Sequence, residues 1–220
     1  MTLSAVCLKS RERYARKGWF SAMEITELQM DVLREIGNIG VGHAATALSG
    51  LLMRRIEMSV PKVWFIPFKE AAAIIGQRED FQATIYVRVL GEAPGKTFFF
   101  FPIESAKTVA QELLHSEEDI AFHMDEMAQS VMKEIGNVMV SSFLMALTQF
   151  SGILFRPSVP ALAVDMVGAI IDGILLEEAI LNNSVLFIDT QISGTPKIEG
   201  QFLFLPGEGT LEKLFGALGI

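Results

Sequence analysis

Apolar residues recur every three or four positions in two long stretches, from about Glu24 to Met53 and from about Glu118 to Phe150. Val32, Ile36 and Ile39 mark the first, and Val131, Ile135 and Val138 the second. That period predicts two long amphipathic helices. After each, the pattern shortens into runs of β-branched and aromatic residues. The first helix is followed by Val63–Ile66 and a short helix through Ala71–Ile75. Strands at Ala83–Leu90 and Thr97–Phe101 come next, with Gly91–Lys96 as their turn and a helix from about Glu104 to Leu114. The second is followed by Ala161–Val164, a helix from about Met166 to Ala179, and strands near Val185–Gln191 and Lys197–Leu205. Ser193–Pro196 makes the turn and Thr210–Leu218 the closing helix.

The same order of elements twice points to an internal duplication. Asp31-Val-Leu-Arg-Glu35-Ile-Gly-Asn38 aligns with Ser130-Val-Met-Lys-Glu134-Ile-Gly-Asn137, and the offset that joins them also carries Pro61 onto Pro160. Antiparallel hairpins and helices, repeated, predict an α+β fold with a pseudo-two-fold axis, an antiparallel sheet packed with helices and two long motif-bearing helices. Residues 23–220 form one domain of two repeats, about 23–117 and 118–220. With no low-complexity linker between them, the halves are expected to share one sheet and one core.

Composition narrows the possibilities. Half of the residues are hydrophobic and the mean hydropathy is positive, but no apolar run is long enough for a membrane span, which needs about 18 residues. The longest, Val159 to Leu176, is broken by Asp165 and Asp172. The net charge is −8, against a general nucleic-acid binder. Residues 1–22 are basic, with Lys9, Arg11, Arg13, Arg16 and Lys17 against Glu12, and read as an extension preceding the helix start near Met23. Cys7 is the only cysteine, so no internal disulfide or cysteine metal cluster is available. The opening segment lacks the apolar run of a signal peptide, and a cytoplasmic protein is expected.

At about 100° per residue, Asp31, Glu35 and Asn38 fall within roughly 60° of one another, as do Ser130, Glu134 and Asn137. A single Glu-x-x-Asn on a helix is ordinarily a solvated face. Asparagine, however, is a poor mid-helix residue because its amide competes with the backbone, and here it recurs at matched sites. Gly37 and Gly136 beside the stripes each cost the helix about 1 kcal/mol relative to alanine. They would admit another protein's backbone, or else pack against the chain's own sheet.

Asp/Ser-x-x-x-Glu-x-x-Asn, then twenty-two residues and Pro, runs from Asp31 to Pro61 and again from Ser130 to Pro160. This pattern resembles that of the CheC/CheX/FliY phosphatases of bacterial and archaeal chemotaxis. Two copies with no appended motor domain match the CheC arrangement. The resemblance implies hydrolysis of the phospho-aspartate of the response regulator CheY. Asn38 and Asn137 would position the attacking water, and Glu35 and Glu134 would pair with the regulator's lysine. Asp31 and Ser130 would orient the motif, and Pro61 and Pro160 would fix the turn into the following strand. The Mg²⁺ would be the regulator's, with no metal or cofactor in this chain, which is expected to be a monomer. Asp165 reads on preference as a helix N-cap. The resemblance instead implies a contact with the receptor deamidase CheD, with exposed apolar residues of the helix after it supplying the interface. The rival readings are a non-enzymatic adaptor like the middle domain of FliM, and a coincidence of helix faces on a ligand-binding domain.

Three further features carry less. Gly40-Val-Gly42-His-Ala-Ala45 has the spacing of a dinucleotide fingerprint but lies in a helical segment rather than after a strand. His43, His115 and His123 are scattered, without ligand spacing, and His43 reads as a core-edge or surface residue. Phe98–Phe101 reads as a strand buried on both faces.

Overall fold

The computed structural model describes residues 25–51, 53, 55, 57–115, 120, 124–178, 184–193 and 198–220. The basic segment 1–22, His123 and the turn residues 194–196 lie outside them. The first half comprises α1 (Glu27–Leu51), β1 (Glu57–Pro67), α2 (Phe68–Ile75), β2 (Phe81–Gly91), β3 (Gly95–Pro102) and α3 (Ile103–Leu114). The second comprises α4 (Glu126–Ser151), β4 (Phe155–Pro157), β5 (Ala161–Met166), α5 (Val167–Glu178), β6 (Ser184–Ser193), β7 (Ile198–Pro206) and α6 (Thr210–Leu218). Apart from the short extra strand β4, the order of helices and strands is the expected one, and the fold is α+β.

All seven strands form one antiparallel sheet in the order β1-β6-β7-β3-β2-β4, with β5 also paired to β2. Exchanging the halves reverses this order, so the pseudo-two-fold axis passes between β7 and β3, where Phe99 faces Phe202. Each half also gives its outer strand to the other: β1 pairs with β6, and β5 with β2. The halves therefore interlock in one sheet.

Strand periodicity divides the core. Leu186 and Ile188 join the cluster under α1, α3, α4 and α6, whereas Val185 and Phe187 join the smaller cluster under α2 and α5. Phe98 to Phe101 alternate in the same way, and none is more than 5% exposed. The strand is buried on both faces, as its unbroken aromatic run predicts. Both long helices, with α3 and α6, thus cover one face of the sheet, and α2 and α5 the other.

Two expectations are corrected. α4 begins at Glu126, later than Glu118, because Met124 takes a left-handed conformation (φ 53°) and Asp125 caps the helix. Pro61 does not precede a strand but lies inside β1, where the register with β6 shifts between Ser59 and Lys62. A proline has no N–H to give a ladder and is tolerated on an edge strand or at such an irregularity. Pro160 does occupy the expected place, in the break between β4 and β5. In α5, Ile170, Ile171 and Ile174 are buried on the sheet and Ala169, Asp172 and Gly173 are exposed, while the side chains of Leu175 and Leu176 lie outside the description. Burial against Phe100 and Leu203 stabilises that face more than solvent exposure would.

Candidate active site

Both motif helices are started by a capping residue five positions before the motif. At Thr26 the cap is reciprocal: Gln29 N–H donates to the Thr26 hydroxyl (3.2 Å), and Thr26 N–H donates to the Gln29 side-chain carbonyl (3.0 Å). At Asp125 the carboxylate accepts from Ala128 N–H at 2.8 Å. Thr26 and Asp125 stand at the same offset as the motifs themselves, so the duplication retains the start signal along with the stripe. α4 ends at Gly152, whose left-handed conformation (φ 70°) brings its N–H to Thr148 O.

From these starts the apolar faces set the orientation. Leu33, Ile36, Gly37 and Gly40 of α1, and Met132, Ile135, Gly136 and Met139 of α4, are buried. Asp31, Glu35 and Asn38 are exposed; so are Ser130 and Glu134, while Asn137 is half-buried. Each trio thus forms the outward stripe that helical spacing predicts. Among the described residues the side chains of Glu35, Glu134 and Asn38 have no hydrogen-bond or ion-pair partner. Asp31 is held by Arg34, its carboxylate 2.6 Å from the guanidinium. The Asn137 side-chain carbonyl accepts a long hydrogen bond, 3.5 Å, from the Ser141 hydroxyl.

Both motif glycines face the sheet, but only Gly136 is crowded by it. A Cβ on Gly136 would overlap Ile85 Cγ2, and one on Gly37 would sit 3.7 Å from Ile188 Cδ1. Gly40 brings the two helices together, since a Cβ there would lie 2.9 Å from the Phe143 Cα. The segment Gly40–Ala45 is accordingly a helix–helix contact inside α1, without the preceding strand that a dinucleotide fold requires. His43 is half-buried at this edge, with its Nδ1 buried and without a hydrogen-bond partner among the described residues.

Pro61, Pro160 and Asp165 are not part of the stripes. Asp165 is the penultimate residue of β5, exposed, next to Gln82 of β2. Its carboxylate accepts from the N–H of the next residue, Met166, at 2.7 Å, so it is not the N-cap of α5. The first amides of α5 are satisfied elsewhere, Val167 N–H by Asp80 O and Gly168 N–H by Arg78 O. Arg78 also reaches Asp172 of α5 at 2.6 Å. Among the described residues no group of three or more His, Cys, Asp or Glu side chains is arranged to hold a metal ion. Nor is any helix there long and apolar enough to cross a membrane.

Two outward Glu–Asn stripes on an interlocked pseudo-symmetric sheet define a class of protein, and comparison with known proteins gives it a name. The CheC-like family model matches residues 28–64 and 127–164, which contain both motifs. The chain is 36% identical over 202 residues to the CheY-P phosphatase CheC of Bacillus subtilis, covering 89% of this chain and 96% of that protein. It belongs to the CheC-like family. Among solved structures, FliY of Thermotoga maritima superposes with a TM-score of 0.73 at 22% identity, covering 90% of this chain and 98% of that one. The FliM middle domain of H. pylori superposes at 0.66 with 11% identity, covering 86% and 99%. At these identities the two structures establish the shared fold alone.

Proposed function

We propose that the protein hydrolyses the aspartyl phosphate of a CheY-type response regulator, using Asn38 and Asn137 to position the attacking water. The observation that carries this is the pair of outward stripes whose glutamates have no partner of their own among the described residues. A regulator brings its phospho-aspartate, its Mg²⁺ and a lysine, and so supplies most of the electrostatic stabilisation of phosphoryl transfer. What remains is to hold a water in line with phosphorus. An amide side chain does so by accepting through its carbonyl and donating through its NH₂. Glu35 and Glu134 then pair with the regulator's lysine, which sets the angle at which each helix enters the site. Asp31, fixed by Arg34, and Ser130 flank the entry. The hydrolysis needs neither a nucleophile nor a metal ligand from this chain.

Asp165, exposed and with its carboxylate engaged among the described residues only by its neighbour's amide, supports a contact with a CheD-type partner on the opposite side of the sheet from the stripes. The alternative is an adaptor without activity. The fold does not decide between them, since the FliM middle domain shares it; the Glu–Asn pairs favour the enzyme. Decay of phosphorylated regulator, followed with and without a CheD-type partner, separates the readings. The wild-type chain should accelerate decay in the presence of Mg²⁺, and Asn38→Ala with Asn137→Ala should abolish the acceleration. Full activity in the folded double variant would refute the mechanism, and no acceleration by the wild-type chain under either condition would favour the adaptor.

A further inference from the structure

The two stripes differ one turn beyond the asparagine. In α4 that position is Ser141, whose hydroxyl donates to Asn137 Oδ1 at 3.5 Å. In α1 it is Gly42, where a Cβ would meet nothing within 4 Å. Asn137 is half-buried and Asn38 exposed. One amide therefore has a hydroxyl beside it, and the other has open space.

We infer that Ser141 is a positioning residue for the second site, acting on the water through Asn137, and that the first site lacks this device because residue 42 is glycine. The inference rests on the phosphatase reading above. The carbonyl of an asparagine has two lone pairs. When one accepts from Ser141, the plane of the amide is constrained about its terminal torsion, which is otherwise broad. The second lone pair and the NH₂ then point outward together, towards a water. Held at 3.5 Å, the contact is long for a hydroxyl donor. Catalytic hydrogen bonds in unliganded sites are often long and tighten in the complex. The cost of ordering the amide is thus met partly before the regulator arrives, whereas Asn38 must be ordered entirely on binding.

Single-site proteins test this. With Asn38→Ala leaving only the second site, Ser141→Ala should lower kcat for phosphorylated regulator by about two- to tenfold, the worth of one modest hydrogen bond. KM should not change, and Ser141→Thr, which keeps the hydroxyl, should retain the rate. With Asn137→Ala leaving only the first site, Gly42→Ser should raise kcat by a similar factor. Gly42 is exposed on a helix with room for the side chain, so this variant is expected to fold; thermal unfolding checks it. An unchanged kcat in folded Ser141→Ala would overturn the inference, as would an effect on KM alone, because the hydroxyl would then touch the regulator rather than the amide. A folded Gly42→Ser that is no faster than its parent would also overturn it. In each case the parent single-site proteins would still turn over, so the phosphatase reading itself would stand; it falls only if the doubly substituted asparagine protein keeps its activity.

Discussion

Replacing Gly136 by alanine puts a methyl group where Ile85 of β2 already sits. The new carbon would overlap Ile85 Cγ2 and lie 3.0 and 3.1 Å from its Cδ1 and Cβ. Ile85 is 1% exposed and central in the larger core, so it has little room to move away. Overpacking of this kind costs about 1–3 kcal/mol. Alanine also returns about 1 kcal/mol of helix propensity relative to glycine, so the bare effect of the substitution understates the clash. Gly37, at the matched position of α1, supplies the control. Its added carbon would lie 3.7 Å from Ile188 Cδ1 and 3.9 Å from Val63 Cγ2, which is ordinary contact. The same chemical change, in the same register of a sister helix, brings the same propensity gain without the collision. Gly37→Ala should therefore be neutral or stabilising by up to about 1 kcal/mol, and Gly136→Ala less stable than it by about 1–3 kcal/mol. Equilibrium urea unfolding followed by circular dichroism measures both, with comparison of midpoints at equal slope. Coincident midpoints would refute the assignment of Gly136 to packing.

Other outcomes test the site and its supports. Asp125→Ala should destabilise the protein by about 1 kcal/mol through the lost cap on Ala128 N–H, measured in the same unfolding experiment. Burial raises the Glu70 carboxyl above its ordinary range, so the folded chain holds that proton more tightly than the unfolded chain. The stability this contributes is complete below the unfolded pKa and lost as pH rises through the folded one. Glu70→Gln should thus match wild type in acid and gain stability relative to it at neutral pH; parallel stability–pH curves would contradict this. The double asparagine variant and the Ser141 and Gly42 pair, described above, complete the set.

Much of the arrangement could be read from the chain. The repeat offset located both stripes, and helical spacing placed Glu35, Asn38 and Glu134 outward because Leu33, Ile36 and Ile135 demanded the inside. Phe98–Phe101 announced a doubly covered strand for the same reason. What escaped was non-local. Nothing in the segment around Pro61 says that its partner is β6, more than a hundred residues away, and β4 is too short at three residues to show alternation. Position-specific backbone geometry was hidden too. The left-handed Met124 that delays α4 carries no glycine to signal it. Asp165 had the composition of a cap but not its place, since α5 takes its first acceptors from Asp80 and Arg78. The relation of Ser141 to Asn137 was legible as spacing, four residues apart on a helix. Spacing alone does not give the contact itself, the hydroxyl 3.5 Å from the Asn137 carbonyl.

The exchange of outer strands has a consequence for how such a protein can be built. The half that carries Glu35 and Asn38 has its β1 laid against the other half's β6, and the other half's β5 completes its own β2. Neither half closes a sheet by itself. The covalent link between α3 and α4 therefore works as a tether, setting the effective concentration at which two complementary pieces meet. It also makes many of the contacts that hold the sheet distant in sequence, which favours slow folding. The smallest unit of this architecture is a pair of halves, whether one chain carries both or two chains bring one each.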